Sequence, residues 1–159
     1  MKILITGGHG NLATSLKKYI DGDYYGKDML DLTDSNCIKN LPMYDILIHT
    51  ARKNIQINDN LSLLFSKAKK IFAFTSRQGT FMNWKESGAI DYGLEKLILN
   101  FIVYRHNVNK HNVQLIEPGH METNEQYDNI AKKFSEIFLS WKFKKNMIYD
   151  ITQNRYIAY

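Results

Sequence analysis

At its start the chain passes from a short apolar run, Lys2–Thr6, straight into Thr6-Gly7-Gly8-His9-Gly10-Asn11-Leu12-Ala13. No other feature constrains the fold as much. Such a run is too short for a stable helix but suits a strand buried on both faces. Beyond the glycines, Leu12, Ala13, Leu16, Tyr19 and Ile20 recur at three- and four-residue intervals, the pattern of a helix with one apolar side. A buried strand, a glycine turn and a helix in succession open a β-α-β crossover.

The same unit repeats. Apolar runs at Asp45–Thr50, Ile71–Ser76 and Val113–Glu117 are bounded by polar or glycine-bearing turns, with weaker strands at Asp23–Lys27 and Met147–Thr152. A middle helical pattern carries Leu61, Leu63, Leu64 and Ala68. A last one carries Tyr127, Ile130, Ala131, Phe134, Ile137, Phe138 and Trp141, opened by Thr123 and Gln126 as a capping box. This alternation predicts an α/β fold, a doubly wound parallel sheet of six to seven strands with helices on both faces. The 159 residues, 44% hydrophobic, fit one domain over residues 1–159 with a sizeable core. The closing Tyr149–Ile157 segment reads as a strand or a hairpin.

Charge and cysteine usage narrow the function. A net charge of +5 favours anionic ligands, but the basic residues are scattered among acidic ones, which argues against nucleic acid. Cys37 is the only cysteine, so an internal disulfide and a multi-cysteine metal site are excluded; it reads as a packing residue in a reducing compartment. The five histidines lack paired metal-ligand spacing, and no metal is expected. No apolar stretch resembles a secretion signal or a membrane span, so a soluble, cytoplasmic protein is expected.

The glycine turn has a chemical reading. Backbone N–H groups at a strand-to-helix turn favour a pyrophosphate, Gly7 and Gly10 would let phosphates approach, and Ala13 would let the helix pack closely. The alternative is a turn without ligand. Ser76, at a strand's carboxyl end, is either a substrate-binding hydroxyl or an ordinary turn residue. Tyr92-Gly93-Leu94-Glu95-Lys96 places a phenol and an ammonium one helical turn apart, where the cation favours the ionised phenol.

In chain order, TGxxGxxA at Thr6–Ala13, the strand ending in Ser76, Tyr92-x-x-x-Lys96 and Pro118-Gly119-x-x-x-Thr123 resemble the short-chain dehydrogenase/reductase family, and the opening resembles its extended branch. The resemblance implies a Rossmann fold and a nicotinamide dinucleotide at Gly7, His9, Gly10 and Asn11. It places Asp31 and Leu32 against the adenine, Ala51 at the end of a strand similar to the family's NAAG-like motif, and Pro118, Gly119 and Thr123 near the nicotinamide. Lys27 falls where NAD-preferring relatives carry an acid. It either meets a 2′-phosphate, favouring NADP(H) over NAD(H), or is simply solvated. Ser76, Tyr92 and Lys96 become the catalytic group, with Lys96 also on the cofactor ribose. The sequence departs from the family at His49, Thr50 and Arg52, and the family's helical asparagine falls at Asn58 or Asn60. Phe81, Met82 and Trp84 are either a substrate wall or core. The implied function is an NAD(P)-dependent oxidoreductase interconverting a carbonyl and an alcohol on a small molecule; the alternative is a catalytically silent dinucleotide-binding module. Leu94, Leu97, Ile98, Leu99, Phe101, Ile102, Val103 and Tyr104 make the helix after Tyr92 apolar nearly all round. That pattern predicts a homodimer or homotetramer.

Overall fold

A computed structural model describes residues 1–51, 55–76, 90–110, 112–144 and 147–158, and the side chains of all of these except 55–59 and 90–92. Strands β1 (Ile3–Thr6), β2 (Asp23–Tyr25), β3 (Tyr44–His49), β4 (Ala68–Phe74), β5 (Val113–Glu117), β6 (Met147–Asp150) and β7 (Arg155–Ala158) form one sheet in the order β2-β1-β3-β4-β5-β6-β7. All pair in parallel except β7, which closes a hairpin antiparallel to β6. Helices α1 (Asn11–Leu16), α2 (Ser35–Lys39), α3 (Ile55–Phe65), α4 (Ile90–Asn109) and α5 (Asn124–Ile137) fill the connections.

Chain order reverses direction across the sheet at β1, with β2 on one side and β3 on the other. In such sheets the crevice outside the carboxyl ends at the reversal is where ligands bind. Strand alternation divides the core between the two faces. Ile3, Ile5, Ile46, Ile48, Phe72, Phe74 and Ile116 pack under α1 and α5, while Leu4, Leu47, Ile71, Ala73, Leu115 and Ile148 pack under α3 and α4. On the first face Phe134 of α5 is fully buried, stacked on Phe138 and edge-on to Phe72 and Phe74. The predicted capping box at Thr123 and Gln126 is formed, fixing where α5 begins.

Several expected boundaries move. Ala68 begins β4 rather than ending the middle helix, because its backbone is already paired opposite Tyr44. The first helix closes at Leu16, and Tyr19 and Ile20 follow in tight turns onto the Leu16 carbonyl. Trp141 lies beyond a 3₁₀ turn at Phe138–Ser140 yet still packs on Phe72 and Tyr149. Cys37 is not a packing residue: it is exposed, its thiol donating to Asp34, because Ile38 supplies the buried face of the short α2.

Helix α4 buries Gly93, Lys96, Leu99, Asn100, Val103 and Asn107, and three of these are polar. Leu94, Leu97, Phe101, Tyr104 and Val108 lie outward at alternating three- and four-residue intervals, Phe101 being 62% exposed. The inward polar groups bond to strand ends. Asn107 grips Val113 from both sides, donating to its carbonyl and accepting from its amide, and Thr75 donates to Asn100 at 2.6 Å.

Candidate functional site

The carboxyl edge of the sheet is polar on the α3/α4 face. Thr6, His49, Thr75, Glu117 and Asp150 close β1, β3, β4, β5 and β6 on that side, and all are buried. Thr6 pairs with His49 and Glu117 with Asp150 across the ladder. The sequence does carry a signal for this row: a polar residue stands at or next to the carboxyl end of each of these apolar runs. Burying so many polar groups is costly unless they are hydrogen-bonded. Here Thr6 Oγ1 meets His49 Nδ1 at 2.8 Å, Glu117 accepts from the Gly119 amide, and one Asp150 oxygen accepts from Thr152 and Gln153.

The glycine turn stands at the end of β1. Gly7 has φ +78°, and an added Cβ would lie 2.7 Å from the Ala51 amide, so both backbone conformation and the neighbouring chain require glycine. Gly8 is equally tight against the Tyr24 and Tyr25 backbone, a constraint the motif alone does not reveal. A Cβ on Gly10 would meet only the Gly7 carbonyl, at 3.2 Å. Gly8 and Gly10 donate their amides to the Tyr25 and Gly7 carbonyls, while the first turn of α1 has no side-chain cap. A turn of this shape, with no side-chain cap on the helix beyond it, fits a pyrophosphate.

The remaining candidates gather unevenly around that edge. Ala51 backs directly onto Gly7. Asp31 turns its carboxylate onto the amide and hydroxyl of Thr33, and those bonds hold it below the usual carboxylate range. Leu32 beside it is buried, its carbonyl accepting from Asn60 on α3. Asp34 caps α2, its side chain accepting from the Asn36 amide. His9, Asn11 and Lys27 are exposed. Pro118 is buried, Gly119 has φ +77° with Thr152 packed beneath it, and Thr123 is occupied as the cap of α5. Ser76 is half-buried just past β4. Tyr92 lies on the first turn of α4, its side chain outside the described residues, as is that of Asn58; Arg52, Phe81, Met82 and Trp84 are wholly outside them.

Lys96 is the most informative of these. It is only 6% exposed, and its ammonium donates to the Phe74 carbonyl at 2.8 Å, two residues before Ser76. His49 is fully buried, and desolvation, with the Lys96 ammonium adding to it, pushes the imidazole down to about 3. The imidazole is therefore neutral at ordinary pH. Its folded value lies below the unfolded value near 6.5, so its contribution to stability is complete above about pH 6.5 and is lost as pH falls toward 3. The expected slope is about 1.4 kcal/mol per pH unit within that window. Denaturant titrations from neutral pH to the middle of the window should show this slope in the wild type and its loss in His49→Asn; equal slopes would refute the assignment.

A chain folded this way has solved counterparts. A carbonyl reductase from Pseudomonas aeruginosa PAO1 in complex with NADP superposes with a TM-score of 0.66 at 11% identity over 100% of both chains. A putative short-chain dehydrogenase/reductase from Burkholderia multivorans with bound NADP gives 0.65 at 14% identity over 99% of both. A GDP-L-fucose synthetase from Naegleria fowleri gives 0.53 at 17% identity, over 72% of this chain and 49% of that one. No protein-family model and no curated protein matches the sequence. Among the described residues no helix is long and apolar enough to cross a membrane. Strand order, the glycine turn at the reversal and these superpositions agree: the chain has the Rossmann fold of the short-chain dehydrogenases and reductases.

Proposed function

We propose that this protein is an NAD(P)-dependent oxidoreductase interconverting a carbonyl and an alcohol on a small molecule, in a reducing, cytoplasmic setting. The observation that carries the reading is the placement of Lys96: a buried ammonium fixed at the carboxyl end of β4, on the same sheet edge as the glycine turn. Gly7, His9, Gly10 and Asn11 would hold the pyrophosphate, Asp31 and Leu32 the adenine, and Ala51, Pro118, Gly119 and Thr123 the remainder of the dinucleotide. Lys27 gives NADP(H) the advantage over NAD(H), since its exposed cation can meet a 2′-phosphate. When bound, the nicotinamide supplies or accepts the hydride.

Tyr92 then gives or takes the proton at its phenol oxygen, Ser76 holds the substrate oxygen, and Lys96 favours the ionised phenol. The resemblance to the family also assigns Lys96 to the cofactor ribose. The second reading, a silent dinucleotide-binding module, draws on His49, a buried neutral imidazole at a position where the family has asparagine.

Thermal melting with NADPH, NADP+, NADH and NAD+ tests the binding step. At a hundredfold excess over Kd, a ligand stabilises by about 2.7 kcal/mol, or roughly 5–10 °C for a domain of this size. No rise with any of the four would end the cofactor reading. A rise without turnover, across a screen of carbonyls and alcohols followed at the nicotinamide absorbance, would leave the silent module standing.

The outward seam of α4 supports a homodimer or homotetramer. Five large apolar side chains at regular spacing form a stripe of the kind that helices bury against one another. Light scattering at micromolar concentration should give at least twice the chain mass, and Phe101→Glu should reduce it to one chain with the fold retained. A wild-type monomer would overturn this.

A further inference from the structure

The amino-terminal edge of the sheet, opposite the glycine turn, is strongly basic. Lys2 precedes β1, Lys69 and Lys70 open β4, Lys110 precedes β5 and Lys144 precedes β6, and all five are exposed. Because these strands are parallel, their entries lie along one edge. At about 4.8 Å between neighbours, the four steps from β1 to β6 span roughly 20 Å. In the sequence these lysines are scattered; parallel pairing gathers them. Among the described residues, Asp45 is the only carboxylate at the entries of β1, β3, β4, β5 and β6, and it is bonded to Lys69 and to the Lys2 amide.

Helix ends explain little of this. A lysine at a helix carboxyl end offsets the dipole there, which accounts for Lys110 after α4. That effect fades beyond the last turn, and Lys2, Lys69, Lys70 and Lys144 stand on strands or on the chain leading into them. Nor does the core explain the apolar side chains on the same edge. Met1 is 75% exposed, Met43 at the entry to β3 is 57% exposed, and Leu139, in the 3₁₀ turn where the chain leaves α5 for β6, is 56% exposed.

We infer that this edge is a docking surface for a membrane face rich in acidic phospholipids, which the protein meets reversibly and without crossing. Each lysine held near such a face tightens attachment about fivefold, and exposed aliphatic tips gain by entering the headgroup boundary. Nucleic acid is a poorer match. The five cations are lysines, point charges without the guanidinium fork that fits phosphate, and methionine and leucine tips gain nothing on a phosphate backbone. Docked this way, the carboxyl edge with its glycine turn faces the aqueous side, open to soluble ligands.

Flotation of the full chain with vesicles of phosphatidylcholine alone, and with about a third of it replaced by phosphatidylserine, tests this at low and at physiological salt. The wild type should float with the acidic vesicles, not with the neutral ones, and should release as salt rises. Lys70→Gln with Lys110→Gln should weaken attachment about twenty-five-fold, whereas Lys27→Gln with Arg155→Gln, which removes equal charge from the opposite edge, should change it by less than about twofold. Met43→Ser with Leu139→Ser should weaken attachment at both salt concentrations. Equal losses from the two charge pairs would mean attraction by net charge alone and would overturn the inference. So would undiminished attachment of the double serine variant, a wild type that ignores acidic vesicles, or one that binds an oligonucleotide duplex in their place. Equal melting temperatures, expected at positions this exposed, exclude a folding effect.

Discussion

Tyr92→Phe should lower turnover by about 10²–10⁴-fold while leaving dinucleotide affinity within about twofold, since it removes only the atom proposed to give or take the proton. Tyr92 stands on the first turn of α4, one helical turn before Lys96, and α4 is anchored to the sheet by Lys96, Asn100 and Asn107. A helix held at three points along its length keeps its register when one hydroxyl near its start is lost. The deficit should therefore lie in the chemical step and not in binding, with kcat and kcat/KM falling together. Were the tyrosine a packed aromatic and nothing more, the variant would melt slightly lower and turn over at the wild-type rate. Retained turnover on any accepted substrate rules out the proposed mechanism.

The sequence carried the fold because the central strands are short, mostly apolar runs with which the crossover helices alternate. Ile3–Thr6, Tyr44–His49 and Val113–Glu117 were recognisable within a residue, and the capping box located α5. Boundaries failed where tertiary pairing overrides periodicity. Ala68 fits the helical spacing, yet its backbone is claimed by the ladder with Tyr44. The glycine turn was legible as a motif, but only three-dimensional contact separates Gly7 and Gly8, where a Cβ would come under 3.0 Å from another segment's backbone, from Gly10, where it would meet only the Gly7 carbonyl at 3.2 Å. Hardest to foresee was the polar row at the carboxyl edge. A terminal polar residue in an apolar run reads as a strand meeting solvent; burial of Thr6, His49, Thr75, Glu117 and Asp150 depends on α3 and α4 covering that end of the sheet. Asn100 was invisible for the same reason, since its partner Thr75 is distant in sequence.

Lys96→Met should produce a double loss that separates the functional role of this lysine from its structural one. The side chain is buried, and methionine matches its length and most of its volume, so little cavity forms. What disappears is the ammonium. The Phe74 carbonyl loses its donor at a buried strand end, which costs about 1–3 kcal/mol and lowers the melting temperature by several degrees. If the ammonium also meets the cofactor ribose, dinucleotide affinity should fall by at least tenfold, the equivalent of one charged hydrogen bond. Turnover should fall as well, because the phenol survives but no cation remains to favour its ionised form. Removing the cation that helps to depress His49 should also let that imidazole titrate at a higher pH, moving the acid loss of stability accordingly. A lysine with a purely structural role predicts a different result: the same drop in melting temperature, with NADPH and NADH bound as tightly as by the wild type. Measuring melting and dinucleotide affinity on the one variant decides between the two, and unchanged affinity would remove Lys96 from the proposed cofactor site.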